Sequence, residues 1–181
     1  MNTLKGNRIV LRNWKENDYN DLFEYASLPD IGPMVGWQPH KDIDESKEVI
    51  RKFINDDDVY ALELIEENKI IGSVGFHNRN FDQKYNSINK REITIVINPM
   101  YWNNGYAYEA SNILIDYAFN KLGLDMVWMC CNINNNKSKK ICNKQHYSYA
   151  CTKDVILQRL NNKQVKMEYY ILTKNDYNES K

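Results

Sequence analysis

Residues 91 to 99, REITIVINP, constrain the fold more than any other stretch. The unbroken β-branched run Ile93, Thr94, Ile95, Val96 and Ile97 favours an extended strand, and Pro99, which has no N–H to donate, ends it. Gly105 then opens GYAYEASNILIDYAFNKLG, which stacks Ala107, Ala110, Leu114, Tyr117, Ala118 and Leu122 on one helical face before Gly123 stops the helix. The turn between them reads YWNNGYAYEA, residues 101 to 110. A helix N-terminus leaves unpaired N–H groups and carries a partial positive charge, so it favours an anion such as a pyrophosphate. Gly105 lets that anion reach the backbone with no Cβ in the way, although a glycine here also suits a simple strand-to-helix turn.

The rest of the chain alternates in the same way. RIVLRNW reads as a strand, and KENDYNDLFEYASL as a helix carrying Tyr19, Leu22, Phe23 and Ala26 inward. LPDIGPMVGWQP, broken by prolines and glycines, predicts a loop bearing Trp37, with His40 just beyond, and DIDESKEVIRKFIND a helix with Ile43, Val49, Ile50 and Phe53 inward. A hairpin follows over 59 to 65 and 70 to 76, then a polar loop over 79 to 90. MVWMCCNI is a strand and NNKSKKICNKQ a short helix; HYSYACTKDVILQRL and KQVKMEYYILTK close the chain as two strands about NNK. The order β, α, α, β, β, β, α, β, α, β, β predicts an α/β fold on a mixed sheet, antiparallel in its first half. With 181 residues and no linker-like segment, the expectation is one domain spanning 1–181.

Lys plus Arg and Asp plus Glu balance at 24 each, so no overall field draws the chain to nucleic acid or to an anionic membrane. The charges Lys5, Arg8 and Arg12 stand where a signal peptide needs its apolar core, and no long apolar run follows, which predicts a soluble, cytoplasmic protein. Cys130, Cys131, Cys142 and Cys151 lack metal-ligand spacing and read as reduced thiols. His77 and His146 suggest no metal site and no Ser-His-Asp set, and a G-x-G-x-x-G dinucleotide loop is lacking.

The stretch Trp102-Asn103-Asn104-Gly105-Tyr106-Ala107-Tyr108-Glu109-Ala110 resembles the acetyl-CoA loop of the GNAT N-acetyltransferase superfamily. It is most similar to the ribosomal-protein N-terminal acetyltransferase branch, the RimJ/RimL type, where the loop usually reads Trp-Gly-Lys/Arg-Gly-Tyr-Ala-Thr-Glu-Ala. The first glycine and the basic residue are replaced here by Asn103 and Asn104. The resemblance runs almost end to end. LKGNRIVLRNWKENDYNDLFEYA looks like the family's opening strand and helix, with Arg8, Leu11, Arg12 and Asp18 in place, and KIIGSVGFHN, REITIVINPMYW and EYYILTKNDY look like later strands. NNKSKKICNKQHYSYA matches least: Asn135, Ser138 and Lys144 are kept, while Asn143, His146 and Tyr147 depart from the usual Glu-Lys-x-Gly-Phe.

The resemblance implies a GNAT fold, with a mixed, mostly antiparallel sheet of six to seven strands, its central strands splayed and helices flanking it. It implies transfer of the acetyl group of acetyl-CoA to a primary amine, with no metal. Glu92 sits where many relatives carry a glutamate that takes the amine proton through water, and Ser138 aligns with a serine that hydrogen-bonds the leaving thiolate. The backbone of Ile95, Val96 and Ile97 would bond the pantetheine arm. Trp102, Asn103, Asn104, Gly105, Tyr106 and Ala107 would hold the pyrophosphate, and Asn135 would touch the pantetheine or cap its helix. Cys142 stands where other members place an acid tyrosine, and Cys131 where some have a thiol near the cofactor. Trp37, Phe76 and Tyr85 face the acceptor in relatives. The acceptor, a protein N-terminus or a small amine, stays open, as does the choice between monomer and homodimer. A non-catalytic CoA-binding module on the same fold is the alternative.

Overall fold

A computed structural model describes residues 1–180, which form two compact units interleaved along the chain. The first comprises Met1–Gly75 with Ile95–Ile113, and the second Phe76–Thr94 with residues 114–180.

In the first unit β1 (Leu4–Lys5), β2 (Ile9–Arg12), β3 (Val59–Leu64) and the start of β4 (Lys69–His77) pair antiparallel in that order. The β3–β4 register slips between Leu62 and Glu63: Leu62 faces Gly72 and Glu63 faces Ile70, leaving Ile71 as a bulge. Three helices, α1 (Tyr19–Ala26), α2 (Ile31–Val35) and α3 (Ile43–Asp56), supply a core of Trp14, Leu22, Tyr25, Ile31 and Ile50 around Ile70. Asp42 caps α3 by accepting from the Glu45 N–H at 2.9 Å. Two details differ from the sequence expectation. The predicted loop contains the short α2, ended by Gly36 in a left-handed conformation, and Ile43 is exposed while Ser46, one turn on, is fully buried against His40 Nδ1 at 2.8 Å. A serine can take that core position because its hydroxyl finds a partner there.

In the second unit the start of β5 (Lys90–Ile97) runs parallel to β6 (Met126–Asn132) through Lys90↔Met126, Arg91↔Val127 and Glu92↔Trp128, where the register ends. β6 continues antiparallel to β8 (Lys163–Thr173) as far as Asn132↔Met167, and β8 pairs on its other edge with β7 (Ser148–Leu157). Alternation along β6 and β8 sends Trp128, Cys130 and Tyr169 to one face and Cys131, Glu168 and Tyr170 to the other. The second face carries α5 (Asn136–Lys144), whose Lys139 ammonium pairs with Glu168 at 2.7 Å. The final α6 (Lys174–Glu179) has a capping box of Thr173 and Asp176.

The described residues form eight strands, more than the six to seven expected, and six helices; the short β1, α2 and α6 fell below the periodicity signal. Helix α4 (Tyr106–Asp116) passes into a π-helical turn, Tyr117–Lys121. The wider turn rotates the apolar face, so Phe119 is 1% exposed and the predicted inward residue Leu122 is 41% exposed. Among the described residues, no helix is long and apolar enough to cross a membrane.

Candidate active site

The turn in the first unit is built in steps. Asn98, buried, caps the short 3-10 turn Pro99–Tyr101 by accepting from the Met100 N–H at 3.1 Å, and its amide donates to Glu24 Oε1 at 2.7 Å. The Trp102 indole packs against the core and its Nε1 donates to the Ile97 carbonyl at 2.8 Å, tying the turn to the end of β5.

Two of the loop's three departures from the usual pattern, at Asn103 and Asn104 but not at Tyr108, have a structural counterpart. Asn103, in place of the first glycine, has φ of 66°, a left-handed conformation that asparagine tolerates better than most residues. Gly105 has φ of 82°, and its carbonyl accepts the first α4 bond from the Glu109 N–H at 3.0 Å. Where the basic residue is missing, Arg8 arrives from before β2. Its Nη1 donates to the Asn104 carbonyl at 2.9 Å, its Nε to Glu109 Oε2 at 2.8 Å, and its guanidinium lies 4.6 Å from the Tyr106 ring centroid. Arg8 thus places a half-exposed cation beside the opening turn of α4. The exposed Asn103, Asn104 and Gly105 and the half-buried Tyr106 and Ala107 leave the start of this helix open to an anion.

In the second unit Asn135 caps α5, its Oδ1 accepting from the Ser138 N–H at 3.1 Å. Ser138 lies half-buried in the first turn. Cys142 is fully enclosed, and burial pushes its thiol up to about 12; burial and then the Glu168 carboxylate push the Cys131 thiol up to about 11. Both keep their protons at neutral pH and are poor nucleophiles. His146, where relatives have glycine, takes φ of 60° just after α5. Replacing His146 by glycine is expected to relieve about 1 kcal/mol of backbone strain, seen as a thermal midpoint roughly 2–4 °C higher.

Glu92 is 4% exposed. Its Oε2 accepts from Arg79 Nη1 at 3.2 Å, and its Oε1 accepts from the Cys130 thiol at 3.7 Å. Burial and the neighbouring Glu92 carboxylate push the Cys130 thiol up, which keeps it a proton donor to Glu92. Arg79 is itself 59% exposed, so the buried carboxylate has a charge partner that water can readily displace. Of the residues expected to face the acceptor, Tyr85 stands in this unit beside Phe81, ring centroids 5.1 Å apart. Phe76 is buried in β4 beneath Arg91 and against Tyr117, and Trp37 in the first unit packs on the core next to His40.

Sequence reasoning missed Arg79, Phe81, Trp128, Lys153 and Tyr169, which gather on the Glu92 face. Lys153 Nζ donates to the Phe81 carbonyl at 2.6 Å and to Asp82 Oδ2 at 2.8 Å. The Trp128 indole Nε1 donates to the Arg79 carbonyl at 3.3 Å. The alternation of WMC in β6 and MEY in β8 carried a signal for Trp128 and Tyr169, but the loop residues carried none. Among the described residues, no group of His, Cys, Asp or Glu could hold a metal ion.

Comparison with known proteins gives this geometry a context. The family described as "Acetyltransferase (GNAT) domain" matches residues 8–148. The uncharacterized N-acetyltransferase p20 of Bacillus licheniformis is 28% identical over 149 residues, 79% of this chain and 80% of that protein. Among solved structures, a GNAT-family acetyltransferase from Bacillus anthracis superposes with a TM-score of 0.83 at 22% identity, covering 96% of this chain and 99% of the other. The spermidine N-acetyltransferase from Vibrio cholerae, in complex with CoA and spermine, gives 0.75 at 19% identity, with 94% and 98% covered. At these identities the structural likeness speaks for the fold.

Proposed function

The chain belongs to the acetyltransferase (GNAT) family and uses acetyl-CoA as its acetyl donor, and from that premise we propose that it acetylates a primary amine with Glu92 as the base. The observation that carries this reading is the Glu92 carboxylate itself: buried, oriented by the Cys130 thiol, and balanced by one solvent-exposed arginine. A buried carboxylate without such partners would be costly to keep, so the arrangement holds an anion ready on a rigid strand.

The reaction needs a neutral amine, whose reference pKa is about 8 for an α-amine and about 10 for a lysine. Its nitrogen attacks the thioester carbonyl carbon, the C–S bond breaks, and CoA leaves as a thiolate that takes up a proton. Glu92 receives the amine proton, directly or through water. Ser138, one hydroxyl on the first turn of α5, is the proposed donor to the departing thiolate. Ser138→Ala should lower kcat about tenfold with the thermal midpoint unchanged, because the Asn135 cap uses the Ser138 backbone and not its hydroxyl. The turn from Trp102 to Ala107 is the proposed pyrophosphate site, with Arg8 supplying the charge that Asn104 lacks, and residues 95–97 the proposed pantetheine rail.

Residues 1–181 are read as one acetyltransferase domain of the RimJ/RimL-type branch, acting on a protein N-terminus or a small amine; the four unpaired thiols accord with a reducing cytoplasm. The competing reading, a CoA-binding module without turnover, rests on the altered loops. Asn103 and His146 nevertheless keep left-handed backbones at the glycine positions, which favours a working site. Free-CoA release from acetyl-CoA, measured across peptides with different N-terminal residues, polyamines and aminoglycosides, tests the choice. Release above the no-acceptor rate supports the enzyme, and tight acetyl-CoA binding with no release throughout supports the module.

A further inference from the structure

We infer that the acceptor is a primary amine bearing an aromatic ring, and that loop residues Arg79 and Phe81 occupy its place in this structure. The inference rests on Glu92 as the base and adds the substrate class. Three observations in the second unit carry it.

The first is the order of groups. The Arg79 guanidinium lies on Glu92 Oε2, where an acceptor's ammonium must arrive before it gives up its proton. Two residues on, the Phe81 ring stacks on Tyr169, with centroids 5.1 Å apart and planes 13° from parallel, and lies 4.7 Å from the Trp128 ring. A cation on the carboxylate and a flat ring on the aromatic platform form the pattern that the site accepts.

The second is rigidity. Trp128 and Tyr169 are buried side chains on β6 and β8, and Trp128 is the register partner of Glu92, so carboxylate and platform are fixed together. Phe81 comes from a loop, outside any regular element, and is only half-buried. Its anchors are the Lys153 bonds to Asp82 and to its own carbonyl and the exposed Arg79 pair, each of which water can replace, together with the 3.3 Å bond from the Trp128 indole to the Arg79 carbonyl, whose place a water or an acceptor oxygen takes when the loop leaves. Removing the plug uncovers two aromatic faces that a ring refills by offset or edge contact.

The third is charge. Lys153 Nζ stands 5.8 Å from the Phe81 ring centroid and 5.9 Å from that of Tyr169 and pairs with Asp82 at 2.8 Å, so the carboxylate on the far side of the platform is already taken by a cation. A polyamine would bring a second ammonium to an Asp82 that Lys153 already neutralises and would leave the rings wet, whereas an aryl-bearing amine covers the rings and needs no second carboxylate. An arylalkylamine and a peptide beginning with an aromatic residue share this chemistry.

The test is calorimetric titration of 2-phenylethylamine, a phenylalanyl dipeptide amide and putrescine into the full chain, with Phe81→Ala and Tyr169→Leu alongside and folding checked by near-UV circular dichroism. At least one ring-bearing amine should bind about tenfold more tightly than putrescine. Phe81→Ala should tighten ring-bearing amines several-fold by removing the competing plug, and Tyr169→Leu should erase their advantage. Whether the free amine or the dipeptide gains more from Phe81→Ala identifies the source. Putrescine binding as well as the aryl amines, no aryl-amine binding at millimolar concentration, or a ratio indifferent to both variants overturns the proposal. Turnover that survives Glu92→Gln would remove the base assignment without touching the ring preference, so the two ideas fail separately.

Discussion

Replacing Glu92 by glutamine should lower acetyl transfer about 10²–10⁴-fold while leaving the KM for acetyl-CoA within about twofold. Glutamine keeps the shape, and its single carbonyl oxygen can still accept from the buried Cys130 thiol, while its NH2 replaces the oxygen that held Arg79, whose exposed guanidinium turns outward into water; the strand geometry survives and the ability to take a proton is lost. Loss of the ion pair should cost little, because Arg79 is mostly in water and can turn outward. The decisive readout is the pattern: kcat falls, acetyl-CoA binding by titration is unchanged, and the thermal midpoint moves by no more than a few degrees. Equal turnover in the variant would show that the amine loses its proton elsewhere and would return Glu92 to a structural role. A variant that neither binds acetyl-CoA nor keeps its midpoint would mean that the carboxylate holds the fold together.

The parts of this molecule legible in the sequence are those governed by local periodicity. The β-branched run of β5, the stop at Pro99 and the helix after Gly105 all follow from short-range rules, and the family likeness nominates Glu92, Asn135 and Ser138 as candidates. Illegible were features that depend on distant partners. Arg8 reaches the Asn104 carbonyl across 96 positions, and Lys153 reaches the Phe81 carbonyl across 72. Neither contact leaves a pattern in its own neighbourhood. The π turn was hidden for another reason: a single wider turn rotates the apolar face without altering composition, so Leu122 looked inward and Phe119 did not. The loop over 79 to 90 looked merely polar, yet its Arg79 and Phe81 side chains settle on the Glu92 face.

Gly72→Ala is expected to be the most damaging single methyl in the first unit. A Cβ at this position would fall inside the van der Waals envelope of the Val96 carbonyl oxygen and lie 3.2 Å from the Ile97 Cα. Both obstacles are backbone, so no side chain can swing aside to make room. The neighbourhood is constrained further: Gly72 follows the Ile71 bulge, the Ile71 carbonyl accepts from the Asn98 N–H at 2.8 Å, and Asn98 in turn starts the turn that leads to Gly105. Overpacking of this kind typically costs up to about 3 kcal/mol, which for a chain of this size corresponds to a fall of roughly 6–12 °C in the thermal midpoint. The displacement would also move residues 95–97, the proposed pantetheine rail, so the KM for acetyl-CoA should rise together with the loss of stability. A midpoint within about 2 °C of the parent would mean that β4 and β5 separate freely at this point. An unchanged KM in a clearly destabilised variant would instead detach the rail from cofactor binding, leaving the Trp102–Gly105 turn and Arg8 to hold acetyl-CoA.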